Sequence, residues 1–325
     1  MEMYHAIIDN TTFSAPFRMS RQDRLMQGII PPLLTPLLDW KTLDVAGLEN
    51  LIERLLAGGV HGLFLLGTCG EGPSLDGAMR REIIDRVSRL VAGRVPFLTA
   101  ISDTSILESL RLAEYAAEKG ATGLVLSPPY YHPITQDDLK RYLFRVAEHV
   151  PIPTLLYNIP SHTKTCLELD TLAAALEHPK FVGLKDSSGD LDYFGKAAQI
   201  INRRNDLTLL MGPEHLLAPA MKLGGHGGIP GGAHLLPKLF VNIYNAVLRG
   251  EERLVETLQR RVMDLDTLYG GFYGASFLAN MKCALSFLGV CAGEFAEPFH
   301  ALPTERIPHV AAQLDKLGID AQTLE

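Results

Sequence analysis

The chain has 325 residues, of which 47% are hydrophobic and 21% are charged, and its formal net charge is −7. This composition is typical of a globular protein with a large core, and the acidic balance predicts neither nucleic acid nor an anionic membrane as a partner. The four cysteines form no Cys-x-x-Cys pair, which argues against a zinc knuckle or a redox motif and favours free thiols in a reducing, cytoplasmic compartment.

Residues 1–27 lack the basic start and apolar core of a signal peptide, so they are predicted to form a polar N-terminal arm. No later apolar run approaches the roughly 18 residues of a membrane span. Eight short apolar runs follow the arm, separated by small-residue loops and amphipathic stretches. In chain order they read GIIPPLLTPL, GLFLLGT, PFLTAIS, GLVLSPP, PTLLYNI, FVGLKDSS, LTLLMGPE and GGIPGGA. Near-continuous apolar strands are typical of a parallel sheet that is buried on both faces.

The stretches between the apolar runs have helical periodicity and recognisable ends. DVAGLENLIERLLAGG ends at glycine, and the stretches that begin at Ser105 and Thr135 carry capping signatures. A barrel of eight units in roughly 250 residues needs about 30 residues per unit, close to the observed spacing. The pattern favours a (β/α)8 TIM barrel over residues 28–249; a doubly wound open sheet uses the same units and is the alternative. Only helical patterns follow, so residues 250–325 are predicted to form a C-terminal helical extension.

Lys185 raises the main chemical question, because it ends an apolar strand where its ammonium must leave water. In TIM barrels the active site lies at the C-terminal ends of the strands, where Thr68, Tyr131, Tyr157 and Lys185 are predicted to point toward one mouth. Burial favours the neutral amine, which attacks a ketone to form a Schiff base. The alternative is a structural lysine whose aliphatic side chain packs in the core while its ammonium reaches solvent at the rim. Lys185 alone does not distinguish the catalytic from the structural interpretation.

Tyr157 favours the catalytic interpretation, because a phenol at the same height of the adjacent strand can move protons for a Schiff base. A core tyrosine bonded to a backbone carbonyl is nevertheless the more common case. The turn GTCGEG can bind a carboxylate or phosphate through its amides, although it lacks the lysine of a P-loop. The 11 histidines are scattered, and His226 and His234 are weak evidence for a metal. We predict no metal site and no cofactor beyond the lysine Schiff base.

Five motifs in the same chain carry a resemblance to a known family. The motifs GTCGEGPSL, SPPYYHP, LLYNIPSHT, GLKDSSGDL and LGGHGGIPGG, in this order, resemble those of the dihydrodipicolinate synthase/N-acetylneuraminate lyase family of Schiff-base aldolases. The similarity extends from about Gly28 to the last helices. The resemblance implies a TIM barrel with a helical extension. It also implies assembly into a homotetramer, commonly built from two tight dimers. The implied binding partner is a small 2-oxo acid such as pyruvate.

The resemblance also implies roles for individual residues. Lys185 would form the Schiff base and Tyr157 would transfer protons. Thr68 would link Tyr157 to Tyr131, which in the family reaches across the tight dimer. The residues that would bind the substrate are Cys69, Gly70, His162, Gly212, Glu214 and the carbonyl of Ile229.

Three departures from the family pattern bear on the substrate. Cys69 stands where the family commonly has a second threonine, which leaves the amides of Cys69 and Gly70 to hold a carboxylate. His162 stands where true synthases carry an arginine for the carboxylate of the second substrate. Gly212 and Glu214 occupy places that sugar-acid lyases of the family use to hold hydroxyl groups.

These departures favour a 2-keto-3-deoxy sugar-acid aldolase or dehydratase among the class I lyases. The other activities considered are those of 4-hydroxy-tetrahydrodipicolinate synthase, N-acetylneuraminate lyase and 4-hydroxy-2-oxoglutarate aldolase. A non-catalytic binding protein on the same fold is an alternative from a different class. The retention of Lys185, Tyr157 and Thr68 argues against it, since a pure binder needs no proton relay.

Overall fold

Parallel strands form the centre of the molecule and close into a (β/α)8 barrel, as the sequence predicted. The computed structural model describes residues 24–270 and 275–323. The strands, in chain order, are β1 (Gly28–Ile29), β2 (Leu37–Asp39), β3 (Thr42–Leu43), β4 (Leu63–Leu65), β5 (Phe97–Ala100), β6 (Gly123–Leu126), β7 (Thr154–Asn158), β8 (Phe181–Asp186), β9 (Thr208–Met211) and β10 (Gly227–Gly228). The parallel sheet has the order β1-β10-β9-β8-β7-β6-β5-β4, and Pro32, just past β1, pairs with Phe64 of β4 to close it.

Helices follow the barrel strands and continue beyond them. They are α1 (Val45–Ala57), α2 (Gly77–Val91), α3 (Ile106–Glu118), α4 (Gln136–Ala147), α5 (Pro160–Thr163), α6 (Leu169–Leu176), α7 (Leu191–Ile201), α8 (Leu217–Lys222), α9 (Pro237–Arg249), α10 (Glu252–Asp264), α11 (Asp266–Tyr269), α12 (Ala275–Phe287) and α13 (Ile307–Leu317). The helices α10 to α13 occupy the predicted C-terminal extension. Residues 1–23 of the predicted arm lie outside the described residues, and the division at residues 28 and 250 stays a prediction.

Two apolar runs form much shorter strands than the sequence suggested. In GIIPPLLTPL the strand itself is only Gly28–Ile29, and the side toward β4 is joined by a single bridge at Pro32, because prolines have no amide hydrogen to donate to a ladder. Leu37–Asp39 instead pair antiparallel with Thr42–Leu43 in a separate hairpin. In GGIPGGA the strand is Gly227–Gly228, and Gly231–His234 form a 3-10 turn.

The two predicted capping signatures have different outcomes. The Thr135 hydroxyl accepts a hydrogen bond from the Asp138 amide at 3.1 Å and donates to its carboxylate at 2.6 Å, which confirms the cap of α4. Ser105 is the N-cap residue of α3, so the helix starts where the sequence predicted, but its side chain makes no capping hydrogen bond and the predicted capping box is wrong. The Ser105 amide instead donates to the Asp103 carboxylate at 3.1 Å.

The apolar core has two layers, one inside the barrel and one between the strands and helices. Strand side chains alternate between them, so that Phe64 lies inside the barrel while Leu63 and Leu65 face the helices. The interior cluster comprises Met26, Ile30, Phe64, Leu98, Val125, Leu155, Tyr157, Ile159, Leu210 and Ile229. Within residues 24–270 and 275–323, no helix has both the length and the apolarity that a membrane crossing requires.

Candidate active site

Lys185 lies near the C-terminal end of β8, with 4% of its surface exposed. It is the register partner of Tyr157 on β7, so the two side chains stand at the same height on adjacent strands. The Lys185 Nζ atom lies 3.9 Å from the centroid of the Tyr157 ring and 4.7 Å from that of the Phe64 ring. The structure therefore brings the two principal candidate residues into contact. It adds Phe64, which the sequence did not single out, as an aromatic wall.

The Tyr157 hydroxyl has a second hydroxyl beside it. Ser187, just past β8, lies with its Oγ 3.4 Å from the Tyr157 hydroxyl oxygen. Gly212 makes room for this serine, since a Cβ atom at position 212 would stand 2.0 Å from Ser187 Oγ. Gly212 thus shapes the mouth through its missing side chain, while its predicted contact with the substrate stays a prediction.

A buried polar clamp fixes the ends of β7 and β8 beside this pair. The Asn158 side-chain amide donates through Nδ2 to Asp186 Oδ1 at 2.8 Å, and its Oδ1 accepts from the Leu167 backbone amide at 2.9 Å. Ser188 donates to the other oxygen of Asp186 at 2.9 Å. Burial raises the pKa of the Asp186 carboxyl above its ordinary value, against the hydrogen bonds that it accepts. Sequence reasoning passed over Asn158 and Asp186, although both directly follow the candidate catalytic residues.

The turn after β4 presents the predicted carboxylate-binding amides. In the described part of the chain, the amides of Cys69 and Gly70 donate to no protein acceptor. Thr35, in the segment that follows β1, donates from its hydroxyl to the Gly70 carbonyl at 2.7 Å and so holds the turn in place. Burial raises the pKa of the Cys69 thiol to about 11, against the charge of Lys185, so this thiol is neutral near pH 7.

Two predicted hydroxyl groups of the proton relay lie at the rim. Thr68 is exposed, and Tyr131 is 69% exposed. The Tyr131 ring makes an edge-to-face contact with the His132 ring, with 4.7 Å between the ring centroids. The link from Tyr157 through Thr68 to Tyr131 stays a prediction. An exposed aromatic residue at this place is compatible with a partner that covers it.

His162 lies on α5, the short helix directly after β7. Its Nδ1 is 2.9 Å from the Ser161 hydroxyl. His162 is exposed, yet desolvation by its neighbours and, to a smaller extent, the positive charge of Lys185 lower the pKa of its imidazole below the ordinary value. The charge of Lys185 therefore acts on the imidazole of His162, the predicted substrate-binding residue. Unlike an arginine, His162 carries no permanent charge.

Glu214 is buried behind the mouth, 5% exposed. Its carboxylate accepts from the Gly232 amide at 2.5 Å and joins the loops after β9 and β10. Burial raises the pKa of Glu214 to about 7, while hydrogen bonds from the Gly232 amide and the Tyr269 hydroxyl oppose the shift. The Ile229 amide donates to Met211 at 2.8 Å in the same region. The roles of Glu214 and Ile229 toward the substrate stay predictions.

No group of three or more potential metal ligands occurs among residues 24–270 and 275–323. His226 and His234 serve the fold instead. His226 accepts from the Leu209 amide at 2.8 Å and His234 from the Leu34 amide at 3.3 Å, and burial lowers their pKa values to about 3 and about 4.

Residues 25–317 match the sequence model of the dihydrodipicolinate synthetase family. The chain belongs to this family. The 4-hydroxy-tetrahydrodipicolinate synthase of Methanopyrus kandleri is 32% identical over 296 residues, which cover 90% of this chain and 97% of that protein. The solved structure of dihydrodipicolinate synthase from Bacteroides thetaiotaomicron is 43% identical with a TM-score of 0.86, covering 89% and 98% of the two chains. That of YagE, a prophage protein of E. coli K12 in complex with pyruvate, is 28% identical with a TM-score of 0.85, covering 91% and 99%.

These similarities confirm the family that the motifs indicated and identify the protein as a lyase of the class I pyruvate aldolase type.

Proposed function

We propose that the protein is a lyase that holds pyruvate or a related 2-oxo acid as a Schiff base on Lys185, without a metal or other cofactor. The observation that carries the proposal is the register of β7 and β8, which sets the Tyr157 ring 3.9 Å from Lys185 Nζ. The unpaired amides of Cys69 and Gly70 support it, because amides in a tight turn suit a carboxylate. The four free thiols fit a reducing, cytoplasmic compartment.

In the proposed reaction, the neutral amine of Lys185 attacks the keto carbon of the substrate, and uptake of a proton with loss of water gives an iminium ion. The bond that breaks joins C3 and C4 of the 2-oxo acid. Tyr157 then takes the proton from the hydroxyl group on C4. That carbon leaves as an aldehyde, and the bonding electrons move to the iminium to form an enamine. Protonation of the enamine carbon and hydrolysis of the resulting imine release pyruvate and regenerate Lys185.

We further propose that the substrate is a 2-keto-3-deoxy sugar acid, cleaved by an aldolase or converted by a dehydratase. The support comes from His162, whose pKa is lowered by desolvation and by Lys185. A neutral imidazole both donates and accepts hydrogen bonds, which suits sugar hydroxyls, whereas an arginine offers a charged fork to a carboxylate. Lys164, two residues on, is exposed and is the nearest residue along the chain that carries a permanent charge.

The second candidate is 4-hydroxy-tetrahydrodipicolinate synthase activity, favoured by the names of relatives such as the structure that is 43% identical. This reaction requires that the carboxylate of aspartate semialdehyde be held as it meets the enamine. Replacing a charge-assisted pair by a neutral group costs about 1.5 to 3 kcal/mol, or roughly 10- to 150-fold in kcat/KM. We therefore expect low efficiency with the semialdehyde.

The Schiff base is tested by incubation with pyruvate and borohydride followed by peptide mass mapping. We expect an irreversible adduct on Lys185 that is absent in Lys185→Met, a variant that keeps a stem of similar length. An unchanged intact mass, or an adduct on another lysine, would overturn the assignment. Chelators should leave turnover unchanged.

The substrate class is tested by assaying a panel of 2-keto-3-deoxy acids beside pyruvate with aspartate semialdehyde. We expect cleavage or dehydration of a sugar acid, and a gain in kcat/KM for the semialdehyde in His162→Arg. Efficient synthase activity of the unmodified protein, without turnover of any sugar acid, would reject the sugar-acid proposal and leave His162 or Lys164 as the carboxylate-binding residue.

A further inference from the structure

Glu71 and Lys282 form an ion pair that is completely buried, although neither belongs to the candidate catalytic set. Glu71 directly follows the turn Thr68–Gly70, and Lys282 lies on α12 in the C-terminal extension. We propose that this pair positions the turn, so that the helical extension sets the affinity of the active site for the carboxylate of the 2-oxo acid. The inference rests on the proposed function and extends it to two positioning residues.

The contacts show that the pair joins three separate segments. Lys282 Nζ donates to Glu71 Oε1 and, at 2.6 Å, to the carbonyl of Glu294. The other carboxylate oxygen of Glu71 accepts from the Ala296 amide at 2.9 Å. The Phe295 ring lies 4.3 Å from Lys282 Nζ. The turn after β4 is thus tied to α12 and to the segment Glu294–Ala296 by charge-assisted hydrogen bonds, which are the strong ones.

The backbone of the turn needs such support. Leu66 before the turn and Glu71 directly after it have φ values of 59° and 55°, in the left-handed region that side chains disfavour. Gly72 lies so close to the start of the turn that a Cβ atom there would stand 1.9 Å from the Leu66 carbonyl oxygen. Disfavoured conformations of this kind persist when surrounding contacts hold them. The Thr35 hydroxyl holds the turn at Gly70, and the Glu71–Lys282 pair holds it at its far end.

Buried charges make the arrangement sensitive to the loss of either member. Burial raises the pKa of Glu71 and lowers that of Lys282, while each partner opposes the shift of the other. Removing one partner leaves an uncompensated group in the core, whereas replacing both by uncharged residues of similar size removes that penalty. The double replacement therefore separates the position of the turn from general stability.

The test compares Glu71→Gln, Lys282→Met and the double variant with the wild type, and Leu314→Ala serves as the control. Leu314 is buried on α13, so its truncation loosens the same extension without touching the pair. Two quantities are measured: hydrogen exchange of residues 66–72, and the pyruvate concentration that half-saturates borohydride trapping on Lys185. Turnover with the best substrate of the panel gives kcat separately.

We expect the double variant to fold, to exchange faster in residues 66–72, and to need about tenfold more pyruvate for half-saturation, because small displacements of positioning groups carry costs of up to about 10²-fold. Its kcat should change less than its KM. Leu314→Ala should lower the melting temperature and leave the half-saturating concentration within about twofold of the wild type, because both members of the ion pair are retained.

Protected exchange in residues 66–72 and unchanged half-saturation in the folded double variant would overturn the inference. A proportional rise in half-saturation in Leu314→Ala would also overturn it, since general loosening would then explain both variants. Failure of pyruvate to label the wild type would reject the proposed function and with it the effect on affinity. Hydrogen exchange would then still decide whether the pair positions the turn.

Discussion

At the scale of single residues, Lys185 is a buried amine with aromatic rather than acidic neighbours. Aromatic faces of Phe64 and Tyr157 flank its Nζ, and among the described residues no carboxylate forms an ion pair with it. Formation of the proposed imine at Lys185 therefore breaks no salt bridge within the described residues. Lys282, by contrast, is buried in an ion pair with Glu71 and also donates to the Glu294 carbonyl, so its Nζ is engaged by partners in the core.

Replacing Tyr157 by phenylalanine separates binding from proton transfer. The ring face that contacts Lys185 is retained and only the hydroxyl is lost, so we expect borohydride trapping with pyruvate to persist. The value of kcat should fall by roughly 10²-fold or more, the scale of a lost general acid–base group. Thr68→Val should have a smaller effect, because Thr68 is proposed to act through Tyr157. Stopped assays of both variants measure these effects. A kcat of Tyr157→Phe within a few-fold of the wild type would mean that Tyr157 is a structural core residue.

Glu214 should make the stability of the protein depend on pH. Its folded-state pKa is about 7, above the ordinary value of 4.5, so between these values the folded protein binds more protons at this group than the unfolded chain. Stability from this group is therefore highest below about pH 4.5 and falls as pH rises toward 7. Glu214→Gln should remove the dependence, worth up to about 3 kcal/mol at about 1.4 kcal/mol per pKa unit. Urea unfolding of both proteins at pH 5 and pH 8 measures it, and identical pH differences would contradict the prediction.

At the scale of elements, the sequence predicted strands and helices where periodicity was strong, and was less accurate where proline and glycine interrupted it. The relation of Tyr157 to Lys185 was predictable, because two consecutive strands of a parallel barrel end at the same edge. The short length of β1 and β10 was harder to predict from the sequence. An apolar run next to prolines can pack in the core without joining the hydrogen-bond ladder of the sheet.

The two capping residues give a matched test at this scale. Thr135 caps α4 with its hydroxyl, and we expect Thr135→Ala to lower the free energy of unfolding by about 1 kcal/mol. Ser105 occupies the same position before α3 without a capping hydrogen bond, so Ser105→Ala should stay within about 0.5 kcal/mol of the wild type. Urea titrations of both variants under one condition provide the comparison. Equal losses would mean that the Ser105 side chain caps α3 in solution.

At the scale of the whole molecule, contacts between distant parts of the chain lie beyond sequence reasoning. Glu71 and Lys282 are 211 positions apart, and neither the glycine-rich turn nor the helix pattern indicates its partner. Arg54 on α1 similarly donates to the carbonyls of His234 and Ala321, at 3.0 Å each, and ties the end of the chain to the barrel. Such pairs are set by how the extension packs on the barrel, and a single sequence contains no direct signal for that packing.

The placement of Tyr131 leads to a prediction about assembly. Its ring is 69% exposed at the rim, and we propose that it completes the site of a neighbouring subunit in a tight dimer, itself half of a homotetramer. A Tyr131→Phe variant and a Lys185→Met variant should then each be nearly inactive. Mixed in equal amounts and allowed to exchange subunits, they should regain activity, because one site of each hybrid dimer combines an intact Lys185 with the partner's intact tyrosine.

The expected recovery follows from the symmetry of the dimer. Random exchange makes about half of the dimers hybrid, and one of the two sites in each hybrid is intact, so about a quarter of the wild-type activity should return. Sedimentation of the mixture checks that dimers or tetramers are present, and native mass spectrometry of the mixture checks that hybrid dimers have formed. If Tyr131 acted within its own subunit, every site in the mixture would lack one of the two groups. Activity would then stay at the level of the separate variants, and the exposed tyrosine would have no part in a shared site.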